Sequence, residues 1–79
     1  MTKAELLANP TSCFNKCGAD EPVFVLCGHD PIAPDMVDEW AYRASLRGVP
    51  QAKTSDAAVD AAEMRAWQTT YPDRVKLPD

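Results

Sequence analysis

Glycine is scarce in this chain, with three in 79 residues. Gly18, Gly28 and Gly48 lie far apart, so no glycine-rich loop for cradling phosphate can be built. Basic residues never run together. The closest grouping is Arg43, Arg47 and Lys53, and the formal net charge is −4. A protein that neutralises phosphates needs a basic patch, and this sequence offers none, so no nucleic-acid partner is expected. Long apolar runs are also missing. The longest, Val23-Phe24-Val25-Leu26-Cys27, is far shorter than the roughly twenty residues of a membrane span. The first ten residues hold a short apolar stretch broken by Glu5, which is not the pattern of a secretion signal. Large core side chains are few, because twelve of the apolar residues are alanine. A chain this short is near the limit of independent stability, so a metal, a disulfide or a second chain is an expected supplement. Three cysteines cannot all pair within one chain and read as thiols or metal ligands.

What is present reads as one small unit in three parts. Residues 1–22 form a weakly patterned lead, expected to be mobile, with a helical turn at Glu5-Leu6-Leu7 ended by Asn9-Pro10 and a short turn at Cys13–Gly18. Residues 23–71 hold a strand and a helical hairpin, and residues 72–79 are a tail whose Val75 and Leu77 can fold back. Val23–Cys27 is β-branched and aromatic between Pro22 and Gly28, and reads as a strand covered on both faces. Asp30 to Ala33 reads as a tight turn into a helix from about Pro34 to Arg47, with Val37, Trp40, Ala41 and Ala44 as its apolar stripe. Acids occupy its first turns and arginines its last, which suits the helix dipole, and Gly48 stops it as a left-handed cap. Val49-Pro50 opens a second helix to about Thr70, unless Thr54-Ser55-Asp56 starts it later. Its stripe is Ala57, Ala61, Met64, Trp67 and Tyr71, and Pro72 ends it.

So short a connection makes the two helices antiparallel neighbours, with Trp40 and Trp67 filling the base of the hairpin. The expected class is therefore α+β and mostly helical. A lone strand leaves its ladder groups unpaired. Pairing with the same strand of a second copy, as a homodimer, is the favoured remedy; pairing with the lead or the tail of the same chain is the alternative.

Three groups of residues have chemical potential. Cys13, Cys17, Cys27 and His29 are four soft ligands that can enclose a tetrahedral zinc, although Cys27 sits on an apolar run and reads equally as a small core residue. A cysteine nucleophile with His29 as base has Asp30 adjacent but no nucleophile turn, so no enzyme is expected. Trp40, Tyr42, Arg43, Arg47, Trp67 and Tyr71 supply ring faces and guanidinium forks for a small nucleotide-like ligand. Between Asp20 and Glu39 lie six carboxylates and no Lys or Arg. They read as a solvated helix start or as a surface that mimics nucleic acid or binds a cation.

Glu21-Pro22-Val23-Phe24-Val25-Leu26, then Asp30, Ala33-Pro34, Val37 and Trp40-Ala41, then Ala61, Met64 and Trp67 with a proline-aspartate tail, form a pattern over residues 21–79. It resembles a family of small phage and prophage proteins. The resemblance implies a phage origin and a place in the host cytoplasm. That family has no assigned activity, so no catalytic residue is transferred. Cys27 and His29 depart from its pattern, where a basic and an amide residue are usual, which weakens the zinc reading. The expected function is a non-enzymatic phage accessory protein that binds a host protein or a nucleotide-like molecule. Its test surfaces are Asp35, Asp38, Glu39, Arg43 and Arg47. By class analogy alone, such a protein can neutralise host defence. The alternatives are a zinc-stabilised module and a structural or assembly component of the virion.

Overall fold

The two long helices form where proline and glycine bound them. A computed structural model describes residues 1–78 as four α-helices: α1 (Lys3–Ala8), α2 (Cys13–Lys16), α3 (Ala33–Leu46) and α4 (Gln51–Thr70). A single 3-10 turn, Pro72–Arg74, follows α4. Asp30 organises the approach to α3. Its carboxylate accepts the Ile32 N–H at 2.8 Å and its carbonyl accepts the Ala33 N–H at 3.0 Å, which makes the tight turn. Pro34 then sits in the first turn of α3, where a missing N–H costs nothing. At the other end, Gly48 takes a left-handed φ of 82°. The Val49 N–H reaches the Ala44 carbonyl at 3.1 Å and the Gly48 N–H reaches that of Ser45 at 3.2 Å, a complete Schellman closure. α4 starts at once after Pro50, and Thr54 bonds back to the Gln51 carbonyl, so Thr54–Asp56 lies inside the helix.

α3 and α4 pack side by side as the hairpin. Arg65, late in α4, bonds Asp35 and Asp38, early in α3, which fixes the antiparallel sense. The contact is made of small side chains: Ala33 and Ala61 are fully buried, and Ala44 is 8% exposed. Val37, Ala41, Ala57, Met64 and Trp67 are half-buried around them. A buried methyl contributes about 0.8 kcal/mol. Alanine packing alone is therefore modest, and specific polar ties take on comparable weight. Trp40 departs from expectation. It is 54% exposed, because a contact built from alanines has no room for an indole between the helices.

The α+β class is not what forms. Among the described residues there is no strand and no sheet. Val23, Phe24, Val25 and Cys27 are exposed and only Leu26 is half-buried. Among the described residues, the backbone of Val23–Leu26 makes no hydrogen bond within the chain. β-branched composition sets a local preference, but a strand needs an edge to pair with. Neither end of the chain supplies one. The lead is coiled into α1 and α2, and among the described residues the tail meets the approach to α3 through a bond from the Lys76 N–H to the His29 carbonyl, at 3.0 Å. The strand-sharing homodimer loses its basis with the strand.

The lead is built from local caps. Thr2 and Glu5 form a reciprocal capping box on α1. Ser12, only 5% exposed, caps α2 through the Asn15 N–H. The Asn15 amide donates to the Leu6 and Asn9 carbonyls and ties the two short helices together. At the tail, Val75 is half-buried and Leu77 exposed, while Asp79 lies outside the described residues.

Candidate functional site

The five surface residues singled out in the sequence divide into two groups. Asp35 and Asp38 belong to a cross-helix cluster in which one Arg65 nitrogen lies 2.9 Å from Asp35 and 2.6 Å from Asp38. The two carboxylates, Asp38 foremost, hold the Arg65 guanidinium more firmly protonated. Glu39 and Arg43 form a separate pair one helical turn apart, at 2.8 Å, on the exposed side of α3. Arg47 joins them around an open depression of about 390 Å³, lined also by Tyr42 and Leu46. The three acids of α3 are thus each paired with an arginine, Asp35 and Asp38 with Arg65 and Glu39 with Arg43.

The aromatic residues divide as well. Trp40 and Tyr42 are both exposed on α3, two residues apart and so on different faces of the helix. Trp67 and Tyr71 meet at the end of α4, with ring centroids 5.2 Å apart and planes tilted by 49°. Arg74, from the 3-10 turn, lies 4.6 Å over the Trp67 ring and 5.0 Å from Tyr71. That guanidinium occupies one face of the Trp67 ring. Neither Arg43 nor Arg47 belongs to this cluster.

The cysteines and His29 do not assemble into the proposed tetrad. Among the described residues, no three His, Cys, Asp or Glu side chains form a group able to hold a metal. Cys13 and Cys27 are exposed free thiols. Cys17 donates to the Cys13 carbonyl at 3.2 Å. Its thiol is held above the ordinary range, chiefly by the neighbouring Glu21 carboxylate and then by burial. That direction opposes thiolate formation, which nucleophilic and metal chemistry both require.

Sequence reasoning missed the residue that joins the parts. The Gln68 amide donates to the Gly28 carbonyl at 2.8 Å and to the Asp30 carbonyl at 3.0 Å. It pins the turn before α3 onto α4. With Arg65, Thr69, Pro72 and Val75 it also lines a second open depression, of about 430 Å³. A glutamine one position beyond Trp67 on the apolar stripe was the available signal. No helix among the described residues is long and apolar enough to cross a membrane. Compared with protein-family models, with curated proteins and with solved structures, the chain matches none of them.

Proposed function

We propose that this chain is a non-enzymatic binding protein that acts by contact with another protein, as a phage accessory protein in the cytoplasm of its host. One observation supports the reading: a run of large apolar side chains lies exposed. Phe24 is 88% exposed, with Val23 and Val25 beside it at 54% and 63%. Among the described residues their backbone makes no hydrogen bond within the chain, so the segment offers a partner main-chain donors and acceptors together with an aromatic anchor. The exposed side of α3, with Glu39, Arg43 and Arg47, is the second binding surface. The phage setting rests on the sequence resemblance alone.

A photo-crosslinking residue at position 24 tests this directly in the host cell. A discrete covalent adduct with another protein is the expected result, lost when the neighbouring Val23 and Val25 are both made Asp. Because these side chains are exposed, those changes should leave thermal unfolding unchanged. No adduct at position 24, under conditions where a crosslinker at Tyr42 also yields none, overturns the reading.

A further inference from the structure

Positions 36, 39, 43 and 46 follow one another at steps of three, four and three, so they share one stripe of α3. The residues are Met36, Glu39, Arg43 and Leu46. Met36 is 46% and Leu46 69% exposed, while Ala33 and Ala44 on another side of the helix are buried at the hairpin contact. The stripe is complementary to its own reverse. From either end it runs apolar, charged, charged, apolar, with acid and base exchanging places. An antiparallel copy centred on Ala41, midway between Met36 and Leu46, sets Met36 opposite Leu46 and Glu39 opposite Arg43. A parallel copy in register sets like charge against like. The step pattern is that of a coiled-coil seam. Glu39, Tyr42, Arg43 and Leu46 already surround the depression of about 390 Å³. Four residues at this spacing make the hole that a knob from a facing helix enters.

We propose that two copies form a two-fold dimer through α3, paired antiparallel. Met36 of each copy then lies against Leu46 of the other, at the rim of the depression that Glu39, Tyr42, Arg43 and Leu46 surround. The two Glu39–Arg43 pairs then close into a four-charge cluster at the axis. The interface is isologous, and two helices of this length put its area at the low end for specific complexes. Association in the micromolar range or weaker follows. This inference rests on reading the exposed side of α3 as a protein-binding surface, and it is independent of the Val23–Leu26 segment.

Sedimentation equilibrium of the full chain from micromolar to submillimolar concentration is the test. The expected weight-average mass climbs from 8.7 kDa toward twice that value. Met36→Glu should abolish the climb. Glu39→Arg and Arg43→Glu should each weaken association by about tenfold or more, since each sets like charges face to face. The double swap E39R/R43E restores self-complementarity and should recover the wild-type mass profile. Helical circular dichroism confirms that each variant folds. A chain that stays at 8.7 kDa throughout overturns the proposal, as does a dimer indifferent to Met36→Glu and to the single reversals. A dimer broken by Phe24→Asp instead relocates the contact and also overturns it. A monomer that still crosslinks to a host protein at position 24 removes this inference and leaves the proposed function standing. A dimer whose crosslinks at Tyr42 join only two copies of this chain, with no adduct at position 24, does the reverse.

Discussion

The lead and the hairpin are held by opposite means. In residues 1–21 the hydrogen bonds are local: a capping box at Thr2, a cap at Ser12 and an Asn15 amide reaching back to Leu6 and Asn9. Among the described residues, the long-range tie that leaves this region runs from the Met1 ammonium to Asp60 at 2.6 Å and Glu63 at 3.4 Å on α4. The hairpin and its flanks are joined over long sequence distances, by Arg65 to Asp35 and Asp38, by Gln68 to Gly28 and Asp30, and by Lys76 to His29. Helices of six and four residues are marginal on their own even when capped, whereas two long helices laid together draw stability from what lies between them. The difference predicts that global stability resides in the hairpin and that the lead opens on its own.

The strongest challenge to that division is a change at the helix contact. Ala61→Leu should lower urea stability by about 1–3 kcal/mol through overpacking. The same change at the exposed neighbour Ala62 should fall within about 0.5 kcal/mol of wild type. Equal effects at the two positions would mean the alanine contact does not set stability. Next in size is Gln68→Ala. Two carbonyls lose a donor, one of them on the buried Asp30, and about 1–2 kcal/mol should be lost. Hydrogen exchange should report faster exchange at the Asp30 and Ala33 amides in that variant, with the middle of α4 retaining its protection. Ser12→Ala sharpens the contrast from the other side. It should cost α2 about 1 kcal/mol, visible as faster exchange at the Asn15 and Lys16 amides, with the global unfolding midpoint unmoved. A shifted midpoint would make the lead part of the cooperative unit.

The smallest expected effect is a pH dependence. The Met1 amino group is held above its ordinary value of 8.0, mainly by its hydrogen bond to Asp60, against desolvation as the next contribution, and then by the Asp60 charge and by the hydrogen bond and charge of Glu63. A group whose folded value is raised stabilises fully below its unfolded value and loses that contribution as pH rises through the folded one. The tie between lead and α4 should therefore be intact at pH 7 and weaken above pH 8. The group is nearly half exposed, so solvent and salt screen the pair and the change is slight. Amide exchange in α1 compared on the two sides of pH 8, after correction for intrinsic rates, checks it.

Much of the helical layout was legible because its boundaries are written in single residues. Asp30 with Pro34, Gly48 and Pro50, and Pro72 mark the ends of α3 and α4 by backbone restrictions that hold regardless of context. Val23–Cys27 misled because strand propensity is local while a sheet is a relation between segments. Trp40 misled for a related reason. It falls on the edge of the apolar stripe, and only the closeness imposed by Ala33, Ala44 and Ala61 decides that an indole is turned outward. The site was legible in part. The four-residue spacing of Glu39 and Arg43 is that of a helical ion pair, and the pair forms. The capture of Asp35 and Asp38 by Arg65, and the Gln68 clasp, link residues about thirty to forty apart and required the hairpin to be folded before they had meaning.

An interior lined with alanine methyls has a calorimetric consequence. Heat capacity and denaturant sensitivity both scale with the nonpolar area uncovered on unfolding. This molecule has little such area to uncover, since no large side chain among the described residues is fully enclosed. Its thermal transition should be broad, its stability curve nearly flat across temperature, and its urea slope shallow for its length.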